Sequence, residues 1–435
     1  MSKPICIVSC PIDTYSGYGA RSRDFVKSLI KNKGEEWDIK ILSQRWGATP
    51  FGALNTGHDD DTDLKNRIIG ALTMNLSFQP DVWIQITVPN EFQPLGKYNI
   101  GVTAGIETTI CDPSWTDGCN RMDLNLVSSK HSENVFKTNR YQQKDPTTGQ
   151  IVKEGKLEKP LEILFEGADL SKYFKSDKLT DFDVYDDLKT IKEDFCYLFV
   201  GHWLSGDFGE DRKNVGYMLK AFLEVFKNKK NKPALILKTS HGATSIIDRD
   251  KILRKIEDIR KTVSGNNLPN VYLIHGDLYD EEINCLYNHP KVKAMVNLTK
   301  GEGFGRPLLE FSIIGKPIIA SGWSGHLDFL TPELCGLVGG TLTNVHQSAH
   351  VPNLILKEAQ WFKPDDNQVG HAFLDIFDNY KKYQEKAKEL STRNKRTFSL
   401  KNMDDKMGEL LAKYVPEFTK VVELKLPTLK KINND

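Results

Sequence analysis

The segment Thr299–Pro317, TKGEGFGRPLLEFSIIGKP, follows the apolar run AMVNL and decides how the rest of the chain is read. Pro307 suits the first residue of a helix, because its missing N–H is one that a helix start leaves unpaired anyway. Gly315 closes the run and Pro317 lies just beyond, so the spacing predicts a helix over Pro307–Ile314. At its start the N–H groups near Gly303–Arg306 are unpaired and the helix dipole is positive, an arrangement that holds a phosphate or a sugar oxygen. Gly301, Gly303 and Gly305 are expected to let a ligand approach the backbone without a Cβ in the way. Glu302 in the loop and Glu310 in the helix stand in E-x7-E spacing. Two glutamates so spaced are solvent-exposed by default. With the glycines, Pro307 and a strand leading in, they read instead as partners for ligand hydroxyls.

Outward from this segment the second half restarts as strands and helices. CYLFVG, ALILKT, NVYLIHG, AMVNL and PIIAS are short strands, and Val215, Met218, Leu219, Phe222, Val225 and Phe226 form one buried stripe of a helix predicted over Lys213–Lys227. The first half shows the same alternation: ICIVSC, a glycine-containing loop, an amphipathic run Ala20–Lys31, then DIKIL, DVWIQIT, NIGVTAG, LNLVSS and LEILFEG. Such alternation argues parallel sheets with helices on both faces. The charged stretch Phe174–Asp194 reads as an exposed connection. This gives a first domain over 1–185, a second over 195–395, and a helix and tail over 396–435 with the option of crossing back to the first domain. Gln368–Leu390 and Met403–Tyr414 read as helical, and LKLPTLKKINND as the tail.

Composition sets the outer limits. The 435 residues exceed what one core organises, and 39% apolar with 27% charged residues is the balance of a soluble enzyme. A net charge of +1 provides no global field for nucleic acid or anionic lipid. The cysteines at 6, 10, 111, 119, 196, 285 and 335 lack paired spacing and read as reduced, mostly buried thiols. Ile5–Val8 reads as a strand and not a signal peptide, and no window reaches the roughly 18 apolar residues of a membrane span, so a cytoplasmic address is expected.

Two doubly wound domains bring the carboxyl ends of two sheets face to face, and ligands in open α/β sheets bind at those ends. Lys213, opening its helix, and Lys238, ending ALILK, are placed to meet a diphosphate as point charges. Gly17 and Gly19 in GYGARS come close to a dinucleotide fingerprint but lack its third glycine, and DIKIL ends without the acidic ribose ligand. The D-x-D of Asp59–Asp63 has no strand leading into it and reads as a solvated acidic loop, so no metal ligands are assigned.

On these residues a resemblance is specific. GEGFGRPLLE resembles the E-x7-E motif of the large retaining GT-B glycosyltransferase family that includes sucrose-synthase-like and mannosyltransferase-like enzymes. The loop Gly17–Gly19, SSKHSENVF, FEGADLSKYF, VGHW with RKN, and SGHLDFL match in order. The resemblance implies two Rossmann-like domains across a cleft, Glu310 on the nucleotide ribose, and Glu302 with Gly303, Phe304 and Gly305 on the donor sugar. It implies Lys213 and Lys238, with Gly17 and Gly19, on the diphosphate, base recognition near Gly276–Leu278 that includes Asp277 and Leu278, and no required metal. His202 stands where many members carry arginine, and a long insertion separates it from Lys213.

The implied reaction moves a sugar from a nucleoside diphosphate sugar, UDP- or GDP-linked, to an acceptor hydroxyl by front-face attack, with Glu302, His131 and Glu107 as candidate catalytic residues. No protein nucleophile is needed, in keeping with the lack of a Ser/His/Asp or Cys/His set. Acceptors in similar enzymes include carbohydrates, lipid-linked sugars, proteins and modified DNA bases. A sugar-nucleotide epimerase of the same shape and a non-catalytic sugar-binding scaffold remain as alternatives.

Overall fold

A computed structural model describes residues 3–71, 78–145, 147–242 and 244–418. In the first half, strands β1 (Ile5–Cys10), β2 (Asp38–Ser43), β3 (Ile68–Ala71), β4 (Val82–Ile86), β5 (Tyr98–Val102) and β6 (Leu124–Val127) precede a hairpin of β7 (Tyr141–Lys144) and β8 (Ile151–Gly155), and β9 (Leu161–Ile163) follows. Seven of these form one parallel sheet in the order β3-β2-β1-β4-β5-β6-β9. Helices cover both faces, which is why β4, VWIQI, is buried at every position.

The second half holds β10 (Cys196–Val200), β11 (Ala234–Lys238), β12 (Val271–Ile274), β13 (Val292–Asn297), β14 (Ile318–Ser321) and β15 (Gly336–Val338) in a second parallel sheet, ordered β12-β11-β10-β13-β14-β15. An antiparallel hairpin of β16 (Gly340–Asn344) and β17 (Gln360–Pro364) follows. The fold is therefore α/β with two Rossmann-like sheets.

Several local expectations shift. The first helix spans Gly17–Lys33, so Gly17 and Gly19 belong to its first turn and not to a preceding loop. Ser16 caps it by accepting from the Gly19 N–H at 2.9 Å. The motif helix spans Arg306–Ile314, entered from Gly305 at φ 95° and closed by Gly315 at φ 76°. Lys213 precedes its helix, Val215–Phe226, because Asn214 adopts a left-handed cap conformation. Asp59–Asn66 is a helix with Asp61 buried against Lys27 at 2.6 Å, so the acidic run is not a solvated loop. Within Phe174–Asp194 the helix Asp183–Lys189 buries Val184 and Leu188, so this stretch is only partly exposed. The helical run from Gln368 breaks at Asn379 into Asp366–Asp378 and Tyr380–Thr397.

The helix Leu400–Tyr414 packs on Gly17–Lys33 and places Met403, Met407, Leu410 and Leu411 in the first half's core. At ~1.5–3 kcal/mol per buried apolar side chain, these four fasten the end of the described chain to its beginning. The tail after Phe418 lies outside the described residues. Among the described residues no helix is long and apolar enough to cross a membrane. All seven cysteines are unpaired and buried.

Candidate functional site

The loop leaving β13 carries Glu302 to the carboxyl edge of the second sheet. Its backbone N–H donates to Ser324 Oγ at 2.9 Å, and its carboxylate takes Lys213 Nζ at 2.5 Å and Arg212 Nη1 at 3.6 Å. Arg212 also donates to the Gly301 carbonyl at 2.8 Å and reaches Glu107 of the first half at 3.5 Å. Burial would raise the Glu302 carboxyl, but Lys213 and then Arg212 outweigh it and hold the group below its ordinary value. Burial conversely pushes Lys213 down against the pull of Glu302. With a second cation beside it, Lys213 is the group with charge to spare for an anionic ligand.

Two glycines of this loop sit where the halves touch. A Cβ on Gly301 would meet the Glu107 carbonyl oxygen at 1.9 Å, and one on Gly303 would meet that of Ala104 at 2.2 Å. Both therefore let the backbones of the two halves touch. Gly305 alone is required by its own conformation, at φ 95°. Ser128 Oγ donates to the Gly303 carbonyl at 3.2 Å, and the Lys130 N–H to Asp328 at 3.0 Å, so the contact continues along the edge. Phe304 is buried in the second half's core against Phe329, at 5.1 Å between ring centroids. Its side chain is packing, and only its backbone remains available to a ligand.

Glu310, buried one turn into the helix, accepts from Arg306 Nε at 2.6 Å, and Arg306 Nη1 reaches back to Asp24 on the first half's opening helix. Burial raises Glu310 to about 7, with Arg306 opposing and Asp280 and Asp24 reinforcing. One guanidinium shared between two carboxylates cannot hold both ionised as firmly as Lys213 and Arg212 hold Glu302.

Along the same edge, His131 opens the helix Lys130–Thr138 and stacks edge-on against Trp323 at 4.7 Å, with Nε2 buried and without a hydrogen-bond partner. Burial, then His326, lowers it to about 4, so it is a neutral imidazole at pH 7. His326 Nε2 lies 2.6 Å from the Ser321 carbonyl. Lys238 ends β11 opposite Val200 and donates to the Gly276 carbonyl at 2.7 Å. His202 lies between the lysines, bonded to Ser240 at 3.1 Å and lowered to about 4 by burial and then by Lys213 and Lys238. Asp277 is exposed and Leu278 half-buried. The neighbouring Tyr279 faces Tyr15 of the first half at 6.4 Å. Gly17 is exposed, whereas Gly19 is buried where a Cβ would strike the Thr14 carbonyl. Among the described residues no group of three His, Cys, Asp or Glu is placed to hold a metal ion.

No protein-family model and no curated protein matches the chain. Solved structures do. Sucrose-phosphate synthase from Thermosynechococcus elongatus superposes with a TM-score of 0.60 at 13% identity, over 94% of this chain and 98% of that one. Anabaena HepE in complex with UDP and glucose follows at 0.57 and 11%, over 94% and 100%. WaaG, a glycosyltransferase involved in lipopolysaccharide biosynthesis, reaches 0.56 and 11%, over 93% and 99%. The fold is GT-B.

Within this GT-B frame Glu302, Lys213 and Glu107 come together through Arg212, His131 stands beside Trp323 and His326, and Lys238 gathers with His202 and Gly276 on the adjoining strands. Glu310 and the helix of Gly17 and Gly19 are joined by Arg306 and Asp24. Sequence reasoning missed Arg212, Asp24, Arg306 and Trp323. Arg212 lay in the quoted RKN and Arg306 inside the motif itself, but nothing local marked Asp24 as the counterpart of Arg306 across 282 positions.

Proposed function

We propose that the chain is a retaining glycosyltransferase that moves a sugar from a nucleoside diphosphate sugar to an acceptor hydroxyl. The observation that carries this reading is the meeting of Lys213, Arg212 and a buried, ionised Glu302 at the sheet edge of a GT-B fold. Lys213 and Lys238 bind the diphosphate and stabilise the charge that grows on it as the sugar leaves, and Arg212 adds a guanidinium to the same cluster. These cations do the work that a divalent metal does elsewhere, so the proposed reaction requires none. Glu302 accepts from donor-sugar hydroxyls, the backbone of Gly303–Gly305 lies against the sugar, Glu310 takes the ribose, and the segment at Asp277 and Leu278 meets the base. The exposed N-terminus at Gly17, with Gly19 behind it, faces phosphate oxygens.

In a front-face reaction the departing phosphate oxygen receives the acceptor proton, so no side chain has to serve as nucleophile. Neutral His131, with an unpartnered Nε2, offers a hydrogen bond to the sugar without adding charge near the cationic transition state. Glu107, linked to Arg212, lies on the acceptor side. The complex of HepE with UDP and glucose favours a uridine donor.

The test is a thermal-shift panel of UDP, GDP, ADP and their sugar conjugates without added metal, repeated on Lys238→Ala and Glu310→Gln. A selective shift of the melting temperature that both variants lose is the expected result. No shift with any nucleotide would sink the reading.

A further inference from the structure

The segments that leave β11 and β12 carry Lys238 and Gly276–Leu278, and they are joined twice. At the sheet edge the Lys238 ammonium donates to the Gly276 carbonyl at 2.7 Å, and the Thr239 N–H to the Ile274 carbonyl at 3.2 Å. Further out, one carboxylate holds both segments. Asp248 accepts from the His241 N–H at 3.0 Å and from His241 Nδ1 at 2.9 Å, and from the other segment it takes His275 Nε2, also at 2.9 Å. The side chains of Asp248 and His275 are buried, whereas that of His241 is 23% exposed.

Asp248 is the third residue of the helix Ile246–Thr262, where Ser245 supplies the cap by accepting from the Asp248 N–H at 3.1 Å. The Asp248 carboxylate makes no bond to its own helix and spends its acceptors on the two loops. Burial raises the carboxyl, but the bonds from His275 and then from His241 outweigh it and hold the group below its ordinary value. The positive end of the helix favours the same ionised form. An ionised carboxylate only accepts, so each ring donates to it, His241 through Nδ1–H and His275 through Nε2–H. Among the described residues no lysine or arginine pairs with Asp248, so these N–H groups carry its compensation.

His275 immediately precedes Gly276, which stands at φ 135°. A glycine turns through that region at little steric cost, so the direction of its carbonyl depends on what holds its neighbours. Ser240, next to His241, bonds His202 at 3.1 Å, and its carbonyl accepts from the Trp203 N–H at 2.8 Å. Release of the two histidines would therefore loosen the partner of Lys238, the segment Gly276–Leu278 and the contact to His202 together. Ligand-binding groups keep a productive geometry, within about 0.5 Å, only when bonds behind them lock their positions.

We infer that Asp248 is a positioning residue of the donor site. Through His241 and His275 it fixes two loops so that Lys238 meets the diphosphate and Gly276–Leu278 the base, without touching the nucleotide itself. The inference rests on the transferase reading, which assigns those loops to the donor.

The experiment is isothermal titration of the full chain with UDP, GDP and ADP, below the melting transition of every variant, with urea midpoints measured alongside. Only folded molecules bind, so lost stability lowers the number of sites, whereas a displaced loop lowers the affinity. Asp248→Asn is expected to weaken the nucleotide that the unaltered chain binds by about tenfold. His275→Leu, which fills the space without a donor, should do likewise. His275→Gln carries an amide N–H that can replace Nε2–H and should stay within about twofold of the unaltered chain. His241→Leu changes a partly exposed side chain and is expected to weaken the nucleotide about threefold, which keeps the inference open to refutation where Asp248→Asn fails to fold. Unchanged affinity in Asp248→Asn or in His241→Leu, or equal affinities for His275→Leu and His275→Gln, would overturn the inference and leave the transferase reading standing. Binding of none of the three nucleotides by the unaltered chain would sink that reading and this inference with it.

Discussion

The two ends of the segment Glu302–Glu310 bury their carboxylates in opposite electrostatic settings. At the first, two cations from the same half serve one carboxylate, and the group is held below its ordinary value. At the second, one cation is shared with Asp24 of the other half, and burial prevails, raising Glu310 to about 7. The balance of charges in each shell, rather than depth, decides the difference, since both carboxylates are buried. Glu302 is thus a fixed negative charge suited to sugar hydroxyls. Glu310 is a carboxyl near its titration point, tied to the contact between the halves.

Removing Lys213 is the harshest way to break that contrast. Lys213→Met leaves Glu302 buried with Arg212 at 3.6 Å as its remaining cation. Breaking a buried pair from one side costs about 3–5 kcal/mol. The urea midpoint should fall accordingly, and adding Glu302→Gln should restore part of the loss by removing the stranded charge. A cost below about 1 kcal/mol would mean that water reaches the pair and that the two ends are not distinct.

Asp24→Asn attacks the other end more gently. It frees Arg306 to serve Glu310 alone, so the carboxyl should move down from about 7 toward its ordinary range. A charged hydrogen bond across the two halves is lost, at about 1–3 kcal/mol in a melt. The discriminating readout is the titration of Glu310 itself, followed by isotope-labelled carboxyl shifts. An unchanged Glu310 would show that Arg306 was never shared in any energetic sense.

This asymmetry also separates what was legible in the sequence from what was not. Parallel-sheet strands announce themselves as continuous apolar runs, and the helix Arg306–Ile314 is marked by Gly305, Pro307 and Gly315. The two parallel sheets and the ends of that helix could therefore be read locally. The start of the first helix was missed because glycines at 17 and 19 argue against a helix, whereas Ser16 and the close approach to Thr14 decide for one. The acidic run at Asp59 was misread because its salt bridge to Lys27 lies in another element. Gly301 and Gly303 also sit where two backbones meet, a contact that no local pattern announces. The hairpin β16–β17 carries little alternation, since β16 is largely exposed and its partner is not. Asp24 and Arg212 act only through long-range pairing, which leaves no trace in spacing.

The mildest test uses pH, and its sign follows from Glu310 being raised on folding. Between the ordinary 4.5 and about 7 the native protein keeps a proton that the unfolded chain has released, so the native state binds more protons. Stability from this group must then fall as pH rises through that window, by at most about 1.4 kcal/mol per unit. Glu302 behaves in the reverse sense. Its depressed value contributes stability above the ordinary carboxylate range, and this is lost as pH falls through the lowered value. Glu310→Gln should therefore flatten the decline between about pH 4.5 and 7 while leaving the acid limb below pH 4 unchanged. Glu302→Gln should soften that acid limb and leave the upper window alone. Identical profiles for the two variants would mean that the carboxylates share one environment, and the distinction between the ends of the segment would have to be abandoned.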